Sequence, residues 1–125
     1  MLVLLIAAIF VFYEEMRPVK VDAVELANEY SKNKIEADKK YLQKDIEVKG
    51  IAKAFYTNTI GINYLELKTD SNTVNLYCVF LNKTDEEKAS KFNQRDTAVV
   101  SGKCVGMGKY KFIPGLKIEV KKIVE

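Results

Sequence analysis

Val100-Ser101-Gly102-Lys103-Cys104-Val105-Gly106 repeats, late in the chain, a valine-to-glycine bend first met at Val48-Lys49-Gly50, which itself follows Ala37-Asp38-Lys39-Lys40-Tyr41. Gly50, in mid-strand, reads as a bulge or coil that lets one strand serve two sheets of a small barrel. Around the first bend, from Asp45 to about Tyr56, Ile46, Val48 and Gly50 alternate with Glu47, Lys49 and Ile51, the period of a half-buried strand. Thr57 to Gly61 reads as a turn. The next strand sets Asn63, Leu65 and Leu67 against Tyr64, Glu66 and Lys68 and ends in the turn Thr69-Asp70-Ser71-Asn72. In the third, Val74 to Leu81, the residues Val74, Leu76, Cys78 and Phe80 share one face, and Asn75, Tyr77 and Val79 the other. Thr97 to Val105 puts Ala98, Val100, Gly102 and Cys104 in register, and Gly115 to Val124 closes the series with Leu116, Ile118, Val120 and Ile123.

Helical signals fall at two places. Asp22-Ala23-Val24-Glu25 reads as a helix start, with Asp22 accepting a free amide and Glu25 reaching back. Ala23, Leu26 and Tyr30 then form an apolar face suited to plug a barrel, and the helix weakens at Ser31 to Asn33. Thr84-Asp85-Glu86-Glu87 caps a second, short helix running to about Phe92. The order predicts an all-β fold: a five-stranded OB-fold Greek-key barrel with an N-terminal helix and a short helix between strands three and four.

The Ala37-Asp38-x-x-Tyr41 stretch, the Val48-to-Gly50 bend and the Gly102-Lys103-Cys104-x-Gly106 pattern, in that order, resemble the tRNA-anticodon-like OB-fold family over about residues 22–124. The resemblance implies a mostly bacterial, often membrane-tethered or lipoprotein domain, in a family largely without assigned activity. It also supplies, by analogy of fold, an expectation of nucleic-acid binding. Some family members carry a further cysteine near the last strand; this chain has none there, so no family cysteine pairing transfers to it.

Residues 1–13, MLVLLIAAIFVFY, carry no charge. In a helix they would rise about 20 Å, short of the roughly 30 Å hydrocarbon core. A signal peptide would open with a basic residue and end at a small-residue cleavage site, and no cysteine follows to take a lipid. The segment is read as an uncleaved N-terminal anchor, with a retained signal sequence and a buried helix as alternatives. The domain reading is therefore a hydrophobic anchor or signal segment over residues 1–16, a linker at 17–21, and helix plus barrel over 22–125. Membrane attachment through residues 1–13, on the extracytoplasmic face of a bacterial membrane, is expected. Charges around the segment give no vote on orientation.

The 125 residues suit one domain, 48% hydrophobic and 30% charged, and so able to bury a core. Histidine is absent, which removes imidazole as base or ligand, and two cysteines cannot build a four-cysteine metal site. The charge of +3 and pI of 8.7 fall short of a strongly basic binder. From Ser101 onward, however, six lysines stand against two glutamates, a local excess of +4 that would favour an anionic partner unless it is simply a solvated strand face.

Ligands of OB-folds lie across the second and third strands, between the loops joining strands one to two and four to five. The candidate ligand residues there are Tyr64, Lys68, Asn75 and Tyr77, with Lys109, Tyr110 and Lys111 in the second loop. Tyrosines and lysines so placed suit base stacking with phosphate attraction, or cross-strand packing alone. Glu66 on the same face opposes a polyanion. Cys78 and Cys104 fall on inward faces, leaving open a disulfide or two buried thiols. Gly106-Met107-Gly108 reads as a strand-end turn, and Asp38 as an acceptor of backbone amides. No carboxylate pair or nucleophile with its base converges, so catalysis, cofactors and metals are not expected. The expected function is a membrane-tethered, non-enzymatic binding module for a protein or glycan of the cell envelope. The alternative is a single-stranded nucleic-acid-binding domain, and oligomeric state is not legible.

Overall fold

Strand β2, Asp45–Thr57, is long enough to join two sheets. In the computed structural model, which describes residues 18–124, its first half pairs antiparallel with β5 (Thr97–Gly106), from Asp45 opposite Lys103 to Ile51 opposite Thr97. Its second half, from Ala52 onward, pairs with β3 (Asn63–Leu67). β3 then pairs antiparallel with β4 (Leu76–Phe80), β4 parallel with β6 (Leu116–Ile123), and β6 antiparallel with β5. The circuit β2-β3-β4-β6-β5-β2 is a closed five-stranded barrel of the OB type, mostly sheet, as the alternation predicts.

The reading of residues 17–21 as a linker is corrected in part. Val19–Asp22 form a short strand, β1, parallel to β2. Four residues are too few to show a period in sequence. Asp22 stays extended within that strand and its carboxylate makes no cap bond, so the capping arrangement expected with Glu25 does not form. The anchor read over residues 1–16 lies outside the described residues, and no described helix is long and apolar enough to cross a membrane.

The N-terminal helix is two helices, α1 (Ala23–Lys32) and α2 (Lys34–Tyr41), parted at Asn33. Asn33 is extended. Its own N–H donates to the Glu29 carbonyl and its side chain accepts from Glu36 N at 3.2 Å, so it closes one helix and caps the next. Leu26, Ala27 and Tyr30 of α1 share one core with Ile46, Val48 and Cys104 of the barrel. Complete burial of a side chain such as Leu26 stabilises by about 1.5–3 kcal/mol, which holds α1 on the barrel despite its short length. The helix before β5 is α3, Lys83–Ser90, and its cap is Asn82 rather than Thr84: the Asn82 side chain accepts from Asp85 N at 2.8 Å.

Asp38 also departs from expectation. It accepts the Tyr30 hydroxyl at 2.9 Å and the Lys34 ammonium at 3.1 Å instead of backbone amides. The Tyr30 hydroxyl in turn lies 3.5 Å from the Cys104 thiol, so the motif aspartate fastens α2 to α1 at the floor of the barrel. Asp38→Asn is expected to lower unfolding free energy by about 1 kcal/mol in urea denaturation, and Tyr30→Phe by a similar amount, with less than additive loss in the double variant.

Cys78 and Cys104 are buried and free. Both sit opposite Ile118, one on each side of β6, so a whole strand separates them. Two strand spacings make roughly 9–10 Å, beyond the ~7 Å limit for a disulfide. The disulfide left open by the sequence is therefore not formed, and burial pushes the Cys78 thiol up to about 12.

Candidate binding face

The outer surface of β3 and β4 carries a tyrosine cluster larger than sequence parity suggests. Tyr64 and Tyr77 meet edge to face with ring centroids 5.2 Å apart, and Tyr56 of β2 lies 5.4 Å from Tyr64 on the other side. Simple alternation from Ile46 would turn Tyr56 inward. A bulge at Lys53, between the pairs Ala52 with Leu67 and Ala54 with Glu66, reverses the phase. Phe55 consequently packs against the core, while Tyr56 faces outward and remains 39% exposed.

Glu66 sits among these rings, only 6% exposed. Its carboxylate accepts the Tyr56 hydroxyl at 3.1 Å and pairs with the Lys53 ammonium at 3.4 Å, so the bulge residue supplies the counter-charge. The Glu66 hydrogen bond, then burial, raises the Tyr56 pKa, and burial followed by the Glu66 charge raises that of Tyr77. Tyr56 and Tyr77 therefore stay neutral throughout the physiological range.

The segment between β5 and β6 overhangs this surface. Tyr110 donates its hydroxyl to Glu119, and burial together with that bond pushes its pKa up to about 12. The Lys111 ammonium lies 5.4 Å from the Tyr110 ring centroid. The Lys111 carbonyl accepts from Asn58 Nδ2 at 3.2 Å, tying this segment to the β2–β3 turn. Lys111 and Phe112 both take positive φ, +50° and +63°, which turns the Phe112 ring out to 77% exposure. Ile113 folds back and is buried, although it lies outside the main core. Lys117 is wholly buried beside Tyr77 in the sheet, donating to the Gly115 carbonyl. Burial lowers its pKa.

The structure thus brings together Tyr64 and Tyr77, keeps the Asn75 side chain within hydrogen-bonding reach of Tyr77, and leaves the other candidates apart. Tyr110 and Lys111 form a separate pair with Glu119, Lys109 is exposed on the same segment, and Asn75 stands exposed where its carbonyl accepts from Leu116 N. Lys68 lines a different cleft, of about 420 Å³, with Asp22, Lys49, Gly50 and Asp70. Sequence reading missed Tyr56, Lys53 and Lys117. Only pairing of the strands in register reveals the first two, and the third sits at an outward-facing position of the alternation yet is wholly buried. Among the described residues no three cysteines or carboxylates converge on a metal-binding arrangement.

The fold is similar to several solved structures. A Klebsiella pneumoniae protein provisionally described as a nucleic acid-binding lipoprotein superposes with a TM-score of 0.58 at 18% identity, over 86% of this chain and 92% of that one. Asparaginyl-tRNA synthetase from Pyrococcus horikoshii gives 0.52 at 17% identity, over 83% of this chain but only 22% of the synthetase. An OBody bound to hen egg-white lysozyme gives 0.51 at 11% identity, over 67% of this chain and 82% of that one. Identities this low show a shared fold and no more. No curated protein matches the sequence. The family model described as tRNA_anti-like matches residues 3–113, and the chain belongs to that family.

Proposed function

We propose that the chain is a non-catalytic binding module, tethered on the extracytoplasmic side of a bacterial membrane, whose tyrosine face takes a polypeptide segment or glycan of the envelope. The Tyr56–Tyr64–Tyr77 cluster around Glu66 carries this reading. It offers aromatic area rimmed by hydroxyls, with little rotamer entropy to lose on binding. Its charges are balanced internally, Glu66 by Lys53, so it lacks the excess cation that a phosphate backbone demands. The apolar run at residues 1–13 supports tethering, as does the description of the Klebsiella relative as a lipoprotein.

One observation favours single-stranded nucleic acid as a second reading. Phe112 projects at 77% exposure directly after Lys111 and lines one surface hollow with Lys109, an exposed ring with cations beside it, and a base stacked on such a ring gains roughly 1–3 kcal/mol. The two readings separate in one comparison. A photoreactive phenylalanine placed at Tyr56 is expected to crosslink an envelope protein or glycan in cells, with yield falling about tenfold in a Tyr64→Ala, Tyr77→Ala background. Micromolar binding of labelled single-stranded DNA or RNA that weakens steeply with salt and disappears in Phe112→Ala, without such crosslinks, would replace the first reading with the second.

A further inference from the structure

Each of the five barrel strands has a partner on each side over part of its length, and among the described residues β1, paired with β2 alone, presents an open edge of the sheet. Unpaired N–H and C=O groups on such an edge are a template for another strand, and natural chains usually blunt them with charge. On β1, Val21 is buried while Lys20 and Asp22 are exposed on the opposite face. Lys20 alone would repel a like edge. Asp22, two residues away on the same face, changes the outcome for one partner.

The parallel register sets Lys20 beside Glu47 and Asp22 beside Lys49, with the Lys20 ammonium 3.9 Å from the Glu47 carboxylate. Signs therefore already alternate between β1 and β2. An antiparallel copy of β1 centred on Val21 would face Lys20 with Asp22 of the second copy, and Asp22 with its Lys20. Across four strands the row then reads Glu47, Lys20, and Asp22 and Lys49 of the second copy, alternating throughout, and the two-fold axis repeats it. Centring the pair on Lys20 or on Asp22 instead would oppose like charges, which disfavours those registers.

We propose that β1 is a homodimerisation edge, through which two copies pair antiparallel about Val21 and join their barrels into one continuous sheet. The interface is isologous and closes on itself, as a two-fold dimer requires. β1 lies along the half of β2 that precedes Gly50, and the tyrosine face along the half that follows it, so pairing leaves both tyrosine faces free. The dimer stands or falls independently of the ligand proposed above.

The test is sedimentation velocity on the full chain in detergent micelles across a concentration series, for the wild type, Lys20→Asp, Asp22→Lys and an equimolar mixture of the two variants. Each single variant carries two like charges on its edge and is expected to dimerise at least tenfold more weakly than the wild type. The mixture, in which every opposed pair is again of opposite sign, is expected to recover the wild-type dimer fraction as a heterodimer. A wild type that stays monomeric, a dimer indifferent to both variants, or a mixture that fails to recover would each overturn the proposal. Should a charge variant fold poorly, mixed Lys20→Cys and Asp22→Cys chains give a second readout. They are expected to form an intermolecular disulfide faster together than either does alone, against a background in which Cys78 and Cys104 are buried; equal rates overturn it.

Discussion

Gly102→Ala is expected to lower the melting temperature by more than about 10 °C, because a Cβ at that position would stand 2.2 Å from the Glu119 carbonyl oxygen and 2.9 Å from Val120 Cα. Both obstacles are backbone, so no rotamer change relieves them. The contact is close because β5 and β6 are bulged here: Ser101 faces Lys122 while Gly102 faces Val120, leaving Lys121 unpaired and drawing the two chains together. Overpacking costs typically 1–3 kcal/mol, and a clash between two fixed strands belongs at or above about 3. Relieving it means opening the β5–β6 seam, which closes the barrel. Gly108→Ala supplies the control, since nothing lies within 4 Å of its added methyl, and Gly61→Ala meets no neighbour but must hold φ of +85°. Thermal unfolding should rank the three as Gly108 near zero, Gly61 at about 1 kcal/mol, and Gly102 well beyond both. A Gly102 variant that melts with the wild type would show that the bulge is not needed for closure.

That clash also explains how much could be read from the sequence. The glycine bends and the period-two runs identify the barrel because burial on one face dictates both, and Ala98, Val100, Gly102 and Cys104 are all buried as the alternation requires. Two kinds of feature escape. A single extra residue, Lys53 in β2 or Lys121 in β6, inverts the phase of everything after it, and only pairing with a neighbour reveals which residue is extra. Tyr56 is hidden for that reason, and the bulge expected at Gly50 lies three residues later, although the strand does serve two sheets. Gly50 itself is required by the close approach of Ala23 at the start of α1, whose Cβ would lie 2.7 Å from an added methyl. Burial at an outward-facing position escapes as well. Nothing in the alternation of Leu116, Ile118 and Val120 marks Lys117 as buried, because the alternation puts it on the outward face.

Lys117→Met is expected to stabilise the fold by about 1–2 kcal/mol at neutral pH, since a buried charge is often replaced by an apolar side chain at no loss or at a gain. The Lys117 ammonium has a carbonyl acceptor and, among the described ion pairs, no carboxylate partner. Burial lowers its pKa from the ordinary 10.5. Between the lowered folded value and 10.5 the unfolded chain binds more protons than the folded one, so stability rises with pH across that window. Tyr41 and Tyr110 act in the opposite sense. Burial and hydrogen bonds to Glu29 and Glu119 raise both to about 12, so the stability they contribute is intact below 10 and is lost as pH climbs through their folded values. Those tyrosines are common to both proteins, and subtracting the urea-derived stability of the wild type from that of Lys117→Met cancels them. The difference should be largest near neutrality and shrink steadily towards pH 10. A difference independent of pH would mean that desolvation of the ammonium is not its source. Because Lys117 lies beside Tyr77, the same variant also reports on the face: crosslinking from Tyr56 that fails in the stabilised protein would tie the buried ammonium to ligand binding, and undiminished crosslinking would confine its role to β6.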